Sequence, residues 1–186
     1  SVARVLPEHR HAAQEDEVEA AIWNGQRHAG IEREVQVAIV FVSGGPNTRN
    51  DYHVNPTEEL FYQVKGDIAV RVRPLDGSKP RDVVIREGEL FLLPRWVPHR
   101  PQRPAGTVGL IMEFPRGFDA KGRPQKDGLR WYCPKCDSLV HEATWVLKAI
   151  DKDLKVIMEK FWGGPEKRRT CRECGYVIQR AGAIVV

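Results

Sequence analysis

Cysteine is missing from the first 132 residues of this 186-residue chain, and all four cysteines fall in its last third. A disulfide framework through the body of the protein is thereby excluded. Long apolar runs are also missing: none approaches the roughly 20 residues of a membrane-spanning helix. No apolar leader precedes the first charges, so a cytoplasmic protein with no membrane partner is expected. A strong charge of one sign is absent too. Residues 1–128 hold 18 Lys/Arg against 18 Asp/Glu, and residues 129–186 hold 11 against 7, which accounts for the net +4. That bias is too weak to imply a nucleic-acid partner.

What is present suits one good core plus a small accessory module. "AAQEDEVEAAIW" (12–23) is spaced for a helix. "EVQVAIVFVSGGPN" reads as a strand stopped by Gly44, Gly45 and Pro46. Short β-rich runs follow at regular intervals, namely "LFYQVKG", "DIAVRVRPL", "RDVVIREG", "ELFLLPR" and "TVGLIMEF", with turn signals between them. Such spacing predicts a mainly β antiparallel barrel or sandwich. "PRGFDAKGRPQKDG" (115–128) reads as a connection. The expected organisation is an N-terminal helical segment over 1–35, a barrel over 36–128 and a four-cysteine module over 129–186.

The stretch "RNDYHVNPTEELFYQVKG" (49–66) crowds chelating groups in front of a half-apolar strand. Its spacing matches the first half-motif of a cupin (jelly-roll) barrel: Gly45, five residues, Asp51-Tyr52-His53, then Glu59 and Gly66. Gly88, Pro94 and His99 match the second. Asp51 stands where the first histidine of the motif is usual. His53, Glu59 and His99 therefore form a candidate two-histidine, one-carboxylate facial triad. Such a triad leaves adjacent metal positions open; it suits Fe(II) oxygenases best, although Mn, Co or Zn could occupy it. Glu58 competes for the carboxylate role, but the spacing to Gly66 favours Glu59. Arg49, Arg103 and Glu113 are candidate polar groups at the same mouth, and the two arginines suggest an anionic ligand. A glutamate inside the apolar strand "TVGLIMEF" is costly to bury unless paired. Tyr52 and Phe61 read as core packing.

Together, "GGPNTRNDYHVNPTEELFYQVKGD", "LLPRWVPHRPQRP" and "RWYCPKCDSLVHE" resemble the 3-hydroxyanthranilate 3,4-dioxygenase family, in the form with a Cys-rich tail, over roughly residues 36–176. The resemblance implies a cupin fold and oxygen-dependent extradiol opening of 3-hydroxyanthranilate. The product would be 2-amino-3-carboxymuconate semialdehyde, the precursor of quinolinate. It implies that His53, Glu59 and His99 bind catalytic Fe2+. Arg49 and Arg103 would face the substrate carboxylate and the oxygen chemistry, with Glu113 on the amine or hydroxyl side. Partners would be a small aromatic substrate and O2, and the chain would form a homodimer. Three departures bear on which ring substituents are accepted, the first being that "MEFPRG" replaces a more charged stretch after the pocket glutamate. Residues 1–35 do not resemble the family's N-terminal segment, and Arg100 stands where a serine is usual. A related aminophenol or catechol carboxylate is the alternative substrate, and a non-catalytic sensor of aromatic acids is the alternative class.

The cysteines form two Cys-x-x-Cys pairs, Cys133/Cys136 and Cys171/Cys174. Two such knuckles can build a tetrahedral four-thiolate site for Zn or Fe. By resemblance it is a rubredoxin-like centre apart from the ring-cleaving iron, and a closed four-ligand site implies a structural role. His141 is expected to be a hydrogen-bonded structural residue.

Overall fold

Alternating apolar residues dominate the core of the protein. The computed structural model describes residues 38–181, which belong to one compact unit, Gln36–Val186. The helix expected over 12–23 lies outside the described residues. Among the described residues ten strands run in order: β1 (Ile39–Gly44), β2 (Tyr52–Val54), β3 (Glu59–Lys65), β4 (Ile68–Val72), β5 (Arg81–Ile85), β6 (Leu90–Leu93), β7 (His99–Gln102), β8 (Val108–Glu113), β9 (Asp127–Tyr132) and β10 (Leu139–Trp145). A helix, α1 (Ile150–Trp162), and a 3-10 turn, Glu166–Arg168, follow.

The strands form two antiparallel sheets, one ordered β1-β8-β3-β6 and the other β10-β9-β2-β7-β4-β5. Chain neighbours β3 and β4 lie in different sheets, the crossing pattern of a jelly roll. β4 shows why the sheets face each other: Ile68, Val70 and Val72 are buried while Ala69 and Arg71 are less so. Those residues join Phe61, Ile85, Leu93 and Ile111 in one apolar cluster. This is a mainly β cupin.

The boundary expected at residue 128 falls within β9. That strand pairs with β2 on one side and β10 on the other, so the sheet carries barrel and tail together. Leu129 and Trp131 of β9, Phe161 of α1 and Ile178 beyond it make a second core. Trp131 stacks on Phe161 with centroids 4.0 Å apart at 14°. In α1, Ile150, Leu154, Ile157, Met158 and Phe161 recur at helical spacing. Asp153 Oδ2 accepts the N–H groups of Lys148 and Ala149 just before the helix. His141 sits against Trp131 and Phe161 as a stacked ring, an apolar contact where a hydrogen bond was expected.

Replacing fully buried Trp131 with alanine removes the centre of this second core. It should cost about 3–5 kcal/mol, read as a lowered midpoint of chemical unfolding.

Candidate active site

His53 and His99 are cross-strand partners on β2 and β7, while Glu59 and Glu113 are partners on β3 and β8 of the opposite sheet. The two inner faces thus bring together groups far apart in the chain. Glu59 Oε2 lies 3.0 Å from His99 Nε2 and 4.0 Å from His53 Nδ1. All three residues are buried, with one ligand atom from each within 4.8 Å of the others. Glu58 turns outward to pair with Arg95 at 3.4 Å, so strand alternation selects Glu59.

Burial opposes the charge on Glu59, but His99, then His53 and Arg116, outweigh it and hold the carboxyl below its ordinary value. Burial likewise works against protonated His99, yet Glu59 and the Val97 carbonyl raise its pKa. The structure therefore favours a positive charge between these groups. Glu59 Oε2 is buried without an aligned hydrogen bond, and His99 Nδ1 is anchored to the Val97 carbonyl at 3.1 Å. Two oriented imidazoles and an unsatisfied carboxylate oxygen fit a divalent transition metal.

Two contributors are not legible as site residues in the sequence. Asp127 Oδ2 is 2.8 Å from His53 Nε2. Arg116 donates to both oxygens of Asp127 at 2.7 and 2.6 Å and lies 2.6 Å from Glu113. Burial raises the Asp127 pKa, but Arg116 and His53 bring it below the usual carboxylate range. An ionised Asp127 accepts a hydrogen bond from His53 Nε2–H, which leaves the unprotonated Nδ1 with its lone pair on the Glu59 side, where it could ligate a metal. Both residues sit in the stretch that reads as a connection, where only the "DG" turn signal stands out.

The pocket residues divide in an informative way. Arg49 is committed to Asp51, with Nη2–Oδ2 at 2.5 Å, so the residue replacing the motif's first histidine holds an arginine. Arg103 is 2% exposed, and its guanidinium donates to Gln63 Oε1 at 3.4 Å. Among the described residues it has no acidic partner, and burial lowers its pKa. Gly109 makes room for it, since an added Cβ would stand 2.8 Å from Arg103 Nη1. Burial and then Glu59 raise the Glu113 pKa against the pull of His53 and Arg116. Arg100, expected to bear on ring substituents, points elsewhere. His99 faces inward, and Arg100 faces a cleft beside Tyr132 and Cys133, because successive strand residues alternate faces.

The four cysteines also converge. Cys133 and Cys174 Sγ are 3.4 Å apart, Cys136 and Cys171 Sγ 3.5 Å, and all four group within 4.8 Å. Tetrahedral Zn or Fe thiolates need about 3.8 Å between sulfurs at bonds near 2.3 Å. The knuckles repeat one turn: Asp137 N–H donates to the Cys133 carbonyl and Gly175 N–H to that of Cys171. Asp137 and Gly175 both take positive φ, 65° and 72°.

Fold and site define a class: a cupin with a buried two-histidine, one-carboxylate cluster that could hold a metal ion, and a separate four-cysteine cluster. The sequence model of the 3-hydroxyanthranilic acid dioxygenase family matches residues 30–162. The 3-hydroxyanthranilate 3,4-dioxygenase of Jannaschia sp. is 46% identical over 140 residues, covering 75% of this chain and 73% of its own. That of Neurospora crassa is 45% identical, covering 73% and 71%. The Shewanella woodyi enzyme is 40% identical, covering 91% and 81%. A cupin-2 domain protein from Shewanella frigidimarina is a distant likeness, with a TM-score of 0.37 at 16% identity over 48% of this chain and 83% of that one. The chain belongs to the 3-hydroxyanthranilic acid dioxygenase family.

Asp127→Asn should weaken metal binding between His53, Glu59 and His99 about 10- to 100-fold and leave the cysteine site loaded. Cobalt titration followed by d–d absorption distinguishes the two sites.

Proposed function

We propose that this chain is a non-haem Fe(II) extradiol dioxygenase that adds both atoms of O2 to 3-hydroxyanthranilate and opens its ring to 2-amino-3-carboxymuconate semialdehyde. The observation that carries the reading is buried Arg103 with no acidic partner among the described residues. A buried cation is costly without an anion, and the substrate's carboxylate is the anion it lacks.

His53, Glu59 and His99 would hold the iron, whose open positions let ring and O2 meet and exchange electron density. Arg103 binds the carboxylate and fixes the ring's rotation. Arg49, steadied by Asp51, adds positive charge beside it. Among the described residues Glu113 has neither oxygen in an aligned hydrogen bond, and burial and Glu59 raise its pKa. It is suited to hold the proton released from the ring's hydroxyl group. Asp127 and Arg116 keep His53 oriented. The pocket's contribution is position and charge placement.

The four cysteines would hold Fe or Zn in a closed structural site, and reduced thiols suit a cytoplasmic setting. No helix among the described residues is long and apolar enough to cross a membrane. The outer face of the four-stranded sheet exposes Val40 53%, Val42 70%, Leu90 64% and Leu92 56%. This continuous apolar patch would be covered by a second copy in a homodimer.

Fe(II)-loaded protein given 3-hydroxyanthranilate should consume one O2 per substrate, measured with an oxygen electrode. His53→Ala should abolish uptake, and Arg103→Ala should lower kcat/KM about 100-fold, the loss of one buried charge-assisted contact. Absent uptake by iron-replete wild-type protein would overturn the reading. Leu92→Glu should shift the protein from dimer to monomer in light scattering, because it places a charge in the proposed interface.

A further inference from the structure

The outer face of the six-stranded sheet carries a second concentration of arginine that the dioxygenase reading does not use. We propose that the cleft between this face and the cysteine module binds a small oxyanion, a carboxylate or phosphate group, separately from the metal centre. The cleft holds ≈ 270 Å³ and is lined by Arg71, Arg73, Arg100, Tyr52, Tyr132 and Asn50, among others.

Three observations carry this. First, Arg71 and Arg100 are directly opposed cross-strand partners on β4 and β7. Like charges in that position destabilise a sheet, and an anion between them would relieve the part of that repulsion that the Arg71–Asp82 pair does not offset. Second, the charges in the cleft do not balance. Arg73 is ion-paired with Asp137, and Arg71 with Asp82 at 3.0 Å. Arg100 has no acidic partner among the described residues, and its Nε is buried without a hydrogen bond. Third, the arginines are held in place by aromatic faces. Arg73 lies 3.5 Å over Tyr132 and 4.9 Å over Tyr52, and Arg100 lies 5.2 Å over Tyr52. Guanidinium groups held over aromatic rings lose less freedom on binding an oxyanion in bidentate fashion. Asn50 adds a neutral polar group beside them, although its amide also donates to the Gln179 carbonyl at 2.9 Å.

The site is placed to influence the metal centre. Tyr52 adjoins His53 on β2, Arg100 adjoins His99 on β7, and the two histidines are paired across the same strands. A ligand outside therefore grips the strand pair that presents imidazoles inside.

The competing role for Arg100 is to offset the negative charge of a metal-loaded four-thiolate site, since Cys133 lines the same cleft. Calorimetric titration of full-length, metal-loaded protein separates the two. Inorganic phosphate and benzoate serve as probes, and the Arg103→Ala background removes the pocket's own buried cation. Saturable binding of either probe that persists in Arg103→Ala, and weakens at least tenfold on adding Arg100→Gln, is the expected result. The stronger probe identifies the source as phosphate or aromatic carboxylate. Arg71→Gln provides the same test should the Arg100 variant misfold, with folding checked by circular dichroism. Binding of neither probe, or binding indifferent to both substitutions, would overturn the proposal. Loss of all binding in Arg103→Ala alone would place every anion in the inner pocket and overturn it equally.

Discussion

Burying charge between two apolar sheets is the constraint around which this protein is arranged. Asp51, His53, Glu59, His99, Arg103, Glu113 and Asp127 are all 4% exposed or less. An uncompensated ion in such surroundings costs several kcal/mol, so each must be answered by a neighbour. Arg49 answers Asp51, and Arg116 answers Asp127 and part of Glu113. With neutral histidines, the guanidinium groups of Arg49, Arg103 and Arg116 face the carboxylates of Asp51, Glu59, Glu113 and Asp127, a net of minus one. A divalent cation at His53, Glu59 and His99 turns the balance to plus one, and a carboxylate substrate at Arg103 closes it to zero. Should the ring lose its hydroxyl proton to Glu113, the sum stays at zero. The same balance that lets the core exist thus favours a cation first and a monoanion second.

The same balance explains what was legible in the sequence. His53, Glu59 and His99 stand out because half-motif spacing and strand alternation leave few side chains able to face inward, and the spacing to Gly66 points to Glu59 over Glu58. The cysteine knuckles are equally plain, since their ligand types and spacing are local. Asp127 and Arg116 are not plain. They act through other residues, and they lie in a Gly/Pro/Lys-rich stretch whose composition reads as solvated connection. β2 and β7 are also hard to see, with three and four residues and Pro101 inside β7, too short for periodicity to register. Their existence depends on pairing with β9 and β4, which no local pattern encodes. The tail's packing is illegible for a related reason: β9 belongs to the sheet and to the second core at once, so composition suggests a boundary where the backbone has none.

Arg100 shows how such a short strand changes the meaning of a residue. Read by position, it follows the candidate ligand His99 and belongs with the pocket. Read by parity, it belongs to the opposite face, because strand side chains alternate. In β7, a register slip by one residue would exchange His99 for Arg100, taking an imidazole out of the metal cluster and driving a guanidinium into it. The exchange would also place Tyr52 where His53 stands if β2 slipped alike. The charge balance inside and the arginines held over Tyr52 and Tyr132 outside therefore oppose the same slip. Arg100, Tyr52 and Tyr132 help define the register on which the inner site depends, and a ligand drawing Arg71 and Arg100 together would strengthen that constraint from the outer face.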